Sequence, residues 1–227
     1  MASAAIFQPA LFEFFRELEE NNDREWFAAH KERYEEDVKD PALRFISEVG
    51  PGLREISPYI EAIPKAVGGS LFRIYRDVRF SKDKRPYKTN LAMQFRHVHG
   101  KDVHAPGFYL HIAPETVFMG TGIYRPASPV LRRVREAMME DPDAWRQAKA
   151  ELRDPLEFGG ESLKTSPRGV PADHPLIEDL RRKDLFVAES LEPEDVLAPD
   201  FAKRFVESCR GCSPLTAYLC RALDAPF

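Results

Sequence analysis

The chain has 227 residues, 43% hydrophobic and 11% aromatic, which provides for a sizeable buried core and excludes a disordered chain. Its 33 basic and 37 acidic residues give a net charge of -4, which argues against a dedicated nucleic-acid binder, because such domains are usually basic. No stretch approaches the roughly 20 apolar residues of a membrane span, so no membrane partner is expected.

The N-terminal segment, residues 9–50, is expected to be helical. Apolar side chains recur at helical spacing from Leu11 to Leu18. Asn22 followed by Glu25 has the pattern of a capping box, which predicts the start of a second helix there. A third helical piece begins near Pro41, and the glycines of the 50–52 stretch are expected to end it.

The middle of the chain has the composition of β-strands. Residues 71–75, 91–98, 107–113 and 116–123 are rich in β-branched and aromatic side chains or alternate in polarity. Turn-forming residues separate them, and Pro114-Glu115 predicts a tight hairpin between the last two. This spacing indicates an antiparallel meander.

Helices are expected to return after the strands. Ser128-Pro129, Asp141-Pro142 and Ser213-Pro214 each place a capping side chain before a proline, which predicts a helix start at each position. Residues 175–183, 199–210 and 214–223 are expected to be helical, and 184–188 to be a strand at a sheet edge. Between them, residues 155–175 are rich in Gly, Pro and Ser, so they predict a long, flexible loop.

Strands grouped between two sets of helices predict an α+β fold. We expect an antiparallel sheet of about four to five strands in the middle of the chain, packed by N-terminal and C-terminal helices. Residues 1–227 are expected to form a single domain. The three cysteines, an odd number, and the absence of a secretory signal in the first ten residues predict a cytoplasmic protein. Nothing in the sequence specifies an oligomeric state.

The strongest functional signal is a basic segment, residues 73–88, in which seven residues are Lys or Arg and two are Asp. Concentrated like charge costs self-repulsion, so an anion or acidic groups should offset it. Arginine provides a bidentate fork for phosphate or carboxylate, lysine a mobile charge, and tyrosine a stacking surface or a hydroxyl. The candidate ligand-binding residues are Arg73, Tyr75, Arg76, Asp77, Arg79, Lys82, Lys84, Tyr87, Lys88 and Arg125.

The leading hypothesis is therefore a protein that binds an anionic, phosphate-bearing small molecule through the basic segment. A second hypothesis is a structural or interaction protein, in which the acidic N-terminal helices or an acidic partner neutralise the same cations. A third is weak, sequence-independent nucleic-acid binding, which is not favoured by the acidic balance of the chain. Whether the protein is an enzyme stays open, with Asp77, His30 and His111 as the acid–base candidates.

Other motifs are less specific. Gly120 and Gly122 precede Arg125 and predict either a turn that approaches an anion or a bulge at a strand end, with the latter favoured. His97 and His99 would share a strand face, but no set of ligands completes a metal site. Cys209 and Cys212 form a lone C-x-x-C, for which packing is the expected role. No cofactor motif is present, so no cofactor is expected.

Residues 73–88 resemble the signature of a family of conserved hypothetical proteins, domain-of-unknown-function family 2461, with the pattern R-x-x-R-D-x-R-F-S-K-D-K-x-P-Y-K. Further pieces of the resemblance are Phe14-Phe15, Asn21-Asn22, Trp26-Phe27, His30-Lys31, residues 107–110 and residues 120–126. It spans the chain from about Phe7 to Leu223. The family has no established activity or catalytic residues, so the resemblance implies a single α+β domain and a cytoplasmic protein and assigns no role to any residue.

Overall fold

The computed structural model describes residues 4–100, 106–153 and 155–227. Helices and strands alternate in blocks along the chain, as expected for an α+β fold. The helices are α1 (Ala10–Glu20), α2 (Arg24–Ala29), α3 (Lys31–Arg33), α4 (Asp40–Ile56), α5 (Ser128–Glu140), α6 (Pro142–Ala150), α7 (Ile177–Leu180), α8 (Pro193–Val196) and α9 (Phe201–Ala222), with a π-helical stretch at Tyr34–Lys39. The strands are β1 (Leu91–Arg96), β2 (Gly107–Ala113), β3 (Thr116–Ile123), β4 (Glu157–Phe158) and β5 (Leu185–Leu191).

The strands form one antiparallel sheet in the order β1-β2-β3-β5-β4. Pro114-Glu115 joins β2 to β3 as the tight hairpin predicted from the sequence, with Ala113 paired to Thr116. The five-stranded sheet in the middle of the chain, with helices before and after it, confirms the predicted fold class.

One face of the sheet is buried against the long helix α9. The Phe95 ring of β1 lies 5.5 Å from the Phe205 ring of α9, and the Thr121 hydroxyl of β3 is hydrogen-bonded to the Thr216 hydroxyl at 2.6 Å. The α9–β3 contact is the most extensive helix–strand contact among the described residues. Helix α4 packs on the outer side of α9, and the rings of Phe7, Phe45 and Phe201 fill the space between them.

The opposite side of the sheet carries the alternate residues of each strand, because successive side chains point to opposite faces. We call this the second face, and it includes Gln94, Arg96, Tyr109, His111 and Phe118. All five are half-buried, whereas their neighbours on the α9 side are fully buried. Tyr109 pairs with Gln94 across β1–β2, and His111 pairs with Phe118 across β2–β3. The second face is therefore a partly solvated surface with aromatic and polar side chains.

One predicted helix end and two predicted capping side chains are wrong. The Asp23 carboxylate, not the Asn22 side chain, accepts the capping hydrogen bond at the start of α2, from the Trp26 amide at 2.9 Å. Helix α4 runs through the glycines at 50 and 52 to Ile56, because Gly50 is buried in the core and Gly52 lies against Val206 of α9. At the start of α5, Ser128 is the first helical residue and its side chain makes no capping bond. Asp141, in contrast, caps α6 as predicted, at 2.9 Å from the Ala144 amide.

The two predicted C-terminal helices are one continuous helix, α9, with Pro214 inside it. Proline cannot donate to the carbonyl four residues earlier, which here belongs to Arg210. The Ser213 hydroxyl donates to that oxygen at 2.9 Å instead. Because this bond replaces the missing one, and because Leu215 and Leu219 remain buried, the helix continues where the local signal predicted an interruption.

The predicted strands are adjusted in two places. Residues 71–75 do not form a regular strand but make isolated bridges, from Leu71 to Met93 and from Tyr75 to Tyr87. The predicted 184–188 strand is β5, which continues to Leu191 and lies second from the edge, because the two-residue strand β4 within the predicted 155–175 loop pairs with it. In the described part of the chain, no helix is long and apolar enough to cross a membrane.

Candidate functional site: a basic loop and a cationic pocket

The basic segment folds into a closed loop whose two ends lie side by side. The Arg76 amide donates to the Pro86 carbonyl at 2.8 Å, and the Lys88 amide donates to the Ile74 carbonyl at 2.8 Å. Tyr75 and Tyr87 face each other across this ladder, with ring centroids 5.3 Å apart. We call residues 73–88 the basic loop, its far end around Phe80 the tip, and its ends at Arg73 and Lys88 the base.

Most of the arginines between base and tip are neutralised inside the loop. Asp77 receives two bonds from the Arg79 guanidinium, at 2.9 and 2.7 Å. Asp83 binds Arg85 at 2.9 Å and Arg76 at 2.7 Å. The hydrogen bonds from Arg79 lower the pKa of Asp77 to about 2. The hydrogen bonds from Arg85, and to a lesser extent those from Arg76, hold the pKa of Asp83 well below its usual value. Exposed pairs add little stability, so their main effect is to set the shape of the loop.

The loop is attached to the N-terminal helices through neutral groups. The Asn22 carboxamide makes two hydrogen bonds to the Tyr87 backbone, accepting from its amide at 3.0 Å and donating to its carbonyl at 3.1 Å. The Phe27 ring of α2 stacks on the Tyr87 ring at 4.1 Å. Although residues 11–41 are acidic, and are all described together with the loop, no ion pair joins them to it. The observed pairing is within the loop itself.

Replacing Asn22 with alanine should loosen the loop from the body of the protein. The substitution leaves two backbone groups of the buried Tyr87 without partners, so we expect Asn22→Ala to lower the free energy of unfolding by about 1–2 kcal/mol. Faster hydrogen exchange at the amides of 74–88 would accompany it. Urea unfolding and exchange measurements check both. The matched control, Asn21→Ala, removes an exposed side chain that bonds only to the Glu17 carbonyl, and should change stability by about 0.5 kcal/mol or less. Equal effects of the two substitutions would contradict this attachment.

At the base of the loop, two cations lie side by side without a carboxylate partner. The Lys88 ammonium donates to the Arg73 carbonyl at 2.9 Å and lies 5.2 Å from the centre of the Phe72 ring. Neither Lys88 nor Arg73 takes part in an ion pair with any residue that the structure describes. Burial, and secondarily the charge of Arg73, lowers the pKa of the Lys88 ammonium. The fold therefore disfavours the charged form of this lysine.

Arg73 opens into a pocket of about 320 Å³ at the edge of the second face. Residues 66–73 form one wall, and Gln94 and Arg96 of β1 form the other. The first wall is joined to β1 by two bonds, from the Phe72 amide to the Ala92 carbonyl at 3.0 Å and from the Gln94 amide to the Ser70 carbonyl at 2.8 Å. None of the lining residues is acidic, and Arg96, like Arg73, has no ion-pair partner among the described residues. We call this the cationic pocket.

Two other pockets differ from the cationic pocket because carboxylates line them. The pocket of about 180 Å³ is lined by Arg76, Arg85 and Lys88 together with Asp83, which pairs with both arginines. A pocket of about 330 Å³ between β5 and α9 mixes arginines with three carboxylates, those of Glu189, Asp195 and Glu207. Unlike these two, the cationic pocket is lined by no acidic residue.

The predicted site residues fall into three groups: those at the base of the loop, those in its middle and at its tip, and Arg125, which lies elsewhere. Arg73 and Lys88 lie at the base, beside the cationic pocket. The other predicted residues of the segment lie in the middle and at the tip of the loop. Tyr75 is 54% exposed and Tyr87 is only 5% exposed. The Lys84 ammonium donates to the Val78 carbonyl. The exposed ammonium of Lys82 has no ion-pair partner in the described residues, and Arg76, Asp77 and Arg79 form the pairs above.

Arg125 is not brought to the loop. It follows the C-terminal end of β3. Gly122 at that end pairs with Gly107 of β2, and Gly107 pairs with Arg96, so Arg125 lies toward the Arg96 end of β1. The loop joins β1 at its opposite end, beside Leu91. The Arg125 amide donates to the Asp184 carboxylate at 2.8 Å, and its guanidinium lies 5.1 Å from the Tyr124 ring. Gly120 and Gly122 lie within β3 rather than at a helix start, so they form no anion-binding turn there.

Sequence reasoning missed Arg96 and Gln94. The sequence signal that could have identified them is the alternation of side chains along β1, in which Met93 and Phe95 face α9 whereas Gln94 and Arg96 face the other way. That alternation identifies the face of each side chain. It does not indicate that the 66–73 segment lies against β1, and this contact is what makes a pocket beside Arg96.

The acid–base candidates are not assembled into one site. His30 stacks on Trp26 at 4.1 Å and its Nδ1 lies 2.8 Å from the Trp26 carbonyl, while Asp77 is held by Arg79. His111 lies on the second face, with its Nδ1 3.2 Å from the Tyr109 hydroxyl. His97 contributes to packing at the chain end, where its Nε2 is 2.6 Å from the Pro226 carbonyl.

The remaining candidates are structural in their contacts. Cys209, Cys212 and Cys220 are fully buried free thiols, and burial raises the pKa of each. No cluster of three metal-ligating side chains occurs in the portion of the chain that the structure describes, and His104 of the predicted histidine group lies outside those residues.

Comparison with known proteins identifies a family without an assigned activity. The family described as conserved hypothetical protein (DUF2461) matches residues 10–218. No curated protein and no solved structure matches the chain significantly. The matched range begins at α1, includes the whole basic loop and the cationic pocket, and ends within α9. Because this match covers almost the entire sequence, the chain belongs to the DUF2461 family of conserved hypothetical proteins.

Proposed function

We propose that this protein binds a phosphate-bearing anion in the cationic pocket, between Arg73 and Arg96 and close to Lys88. The observation that supports this proposal is the charge of the pocket: two arginines line it, no acidic residue does, and neither arginine has an ion-pair partner in the described residues. Each guanidinium can donate two parallel hydrogen bonds to a phosphate or carboxylate group. A pocket of about 320 Å³ lies at the lower end of the range for small-molecule sites.

The state of Lys88 supports the same proposal. Its pKa is lowered by burial and by Arg73, so the fold disfavours the charged form of this side chain. A bound anion would offset that cost. Such strain at a site, with stability lost in exchange for binding, is common in proteins.

Substitutions of the three cations should separate binding from stability. We expect Arg73→Gln and Arg96→Gln each to weaken binding of inorganic phosphate or ribose 5-phosphate by about 10- to 100-fold, since a hydrogen bond to a charged group contributes about 1.5–3 kcal/mol. Lys88→Met keeps the apolar stem beside Phe72 and removes the charge, so affinity should fall while the free energy of unfolding stays equal or rises. Calorimetry and urea unfolding measure the two quantities.

The matched control is Lys164→Met, which changes the net charge equally at an exposed lysine remote from the loop in sequence and without an ion pair in the described residues. It should leave affinity unchanged. Absence of binding by any phosphorylated compound in a broad panel would refute the proposal. A large loss of stability in Lys88→Met, with no ligand found, would show that the cations serve the fold.

A second candidate function is docking to an acidic partner through the tip, and one observation favours it. Phe80 is 95% exposed, and Arg79, Lys82 and Lys84 surround it in the chain. An exposed aromatic ring among cations is typical of interface residues. Phe80→Ala together with Lys82→Met should then reduce binding to polyglutamate, without affecting phosphate binding at the base. Unchanged polyglutamate binding would exclude this role for the tip.

A further inference from the structure

The second face of the sheet carries a continuous cluster of rings that begins at the cationic pocket. The Phe72 ring lies 6.3 Å from the Tyr109 ring in an edge-to-face arrangement. Tyr109 is 5.7 Å from Phe118, and His111 stacks on Phe118 at 4.8 Å with an interplanar angle of 13°. Three strands or edge segments thus contribute rings to one partly solvated surface.

The cluster and the cations share residues. Phe72 lines the cationic pocket and is also the first ring of the cluster, and the Lys88 ammonium lies 5.2 Å from its centre. Gln94, which lines the pocket, pairs directly with Tyr109 across β1–β2. A ligand held by Arg73 and Arg96 would therefore have its remaining atoms beside Phe72, Gln94 and Tyr109.

The rings of this surface are uncharged near neutral pH. Burial raises the pKa of Tyr109 to about 12 and lowers the pKa of His111, so the phenol stays protonated and the imidazole neutral. The positive charge is confined to Arg73, Lys88 and Arg96, at the edge of the surface. The arrangement combines a cationic edge with a neutral aromatic floor.

We propose that the ligand of this site is a nucleotide unit, with its phosphate between Arg73 and Arg96 and its base against Phe72 and Tyr109. The inference rests on the proposed anion-binding function and narrows the ligand class. Bases stack on aromatic side chains irrespective of sequence, and antiparallel sheets with aromatic rings on a solvated face are used in this way by nucleotide-binding modules.

Other phosphorylated ligands use only part of this surface. A sugar phosphate would contact the cations and leave Tyr109 without a role, and inorganic phosphate would leave most of the 320 Å³ unfilled. A nucleotide occurs both free and within a single strand, and both forms present the same phosphate and base. The strand should gain affinity with length and lose it steeply with salt, whereas a free nucleotide should do neither.

Calorimetry on the full-length protein distinguishes these ligands. The panel is inorganic phosphate, ribose 5-phosphate, the four ribonucleoside monophosphates and an eight-residue oligouridylate, at low and moderate salt. We expect at least one monophosphate or the oligonucleotide to bind about 10- to 100-fold more tightly than ribose 5-phosphate, the range that stacking of one base provides. Phe72→Leu and Tyr109→Leu, measured separately, should each remove most of this gain. Tyr109 does not line the cationic pocket, so Tyr109→Leu should leave the affinity for ribose 5-phosphate within about twofold.

The control is Phe158→Leu, at a half-buried ring on β4 that contacts Trp145 and Arg182 instead. It should change neither affinity. Equal binding of ribose 5-phosphate and every nucleotide, with dependence on Arg73 retained, would overturn the nucleotide inference and leave the anion site standing. Failure of all phosphorylated compounds to bind would overturn both. Nucleotide binding that is unaffected by either leucine substitution would also overturn the inference.

Discussion

Phe45→Ala should be among the most destabilising single substitutions in this protein, lowering the free energy of unfolding by about 3–5 kcal/mol. The ring is 0% exposed and contacts three others, Phe7 at 5.5 Å, Phe201 at 5.4 Å and Phe205 at 5.4 Å. Removing it leaves a cavity between α4 and α9, and the surrounding rings are too rigid to close it fully. Urea unfolding measures the loss.

Phe80→Ala is the matched control, because it deletes the same side chain at a position that is 95% exposed. Among the residues that the structure describes, its ring contacts the adjacent Arg79 guanidinium, at 5.8 Å. We expect a change of about 0.5 kcal/mol or less. Similar losses for the two variants would mean that α4 does not pack on α9 through this cluster.

Gly122→Ala should disrupt the pairing of β3 with β5. Gly122 has a φ of +129°, and an added Cβ would lie 2.1 Å from the Leu185 carbonyl and 2.5 Å from the Phe186 Cα. Both obstacles are backbone atoms of the neighbouring strand, so no side-chain rotation relieves them. We expect a loss of at least about 3 kcal/mol, from backbone strain together with lost strand pairing. Hydrogen exchange should accelerate at the amides of β5.

Gly169→Ala separates the two contributions. Gly169 also has a positive φ, +83°, but an added Cβ would have no atom within 4 Å. This variant bears the backbone strain alone, which costs about 1–2 kcal/mol. If Gly122→Ala cost no more than Gly169→Ala, close approach of β5 to β3 would not be the reason for glycine at position 122.

Three positions show where a local sequence signal is enough to predict the structure and where it is not. Pro114-Glu115 predicted a tight hairpin correctly, because two residues between alternating strands leave few other conformations. Pro214 predicted a helix break that does not occur. The Ser213 hydroxyl donates to the Arg210 carbonyl that the proline leaves free, and α9 has buried residues both before and after Pro214. For Gly122 the sequence favours a bulge at a strand end, whereas the positive φ and the close approach of the Leu185 carbonyl are what require glycine there.

Some features of the candidate site are likewise predictable from local sequence, and others depend on tertiary contacts. The α+β class and the concentration of positive charge at 73–88 are predictable from the amino-acid sequence, since both follow from the order of residue types along the chain. Ion pairs inside the loop are also predictable in kind, because Asp77 and Asp83 are close in sequence to their arginines. Which cations remain without a carboxylate partner depends instead on the three-dimensional packing. Arg73 and Arg96, 23 positions apart, line one pocket because the 66–73 segment lies along β1, and such long-range arrangements depend on how elements pack rather than on local composition.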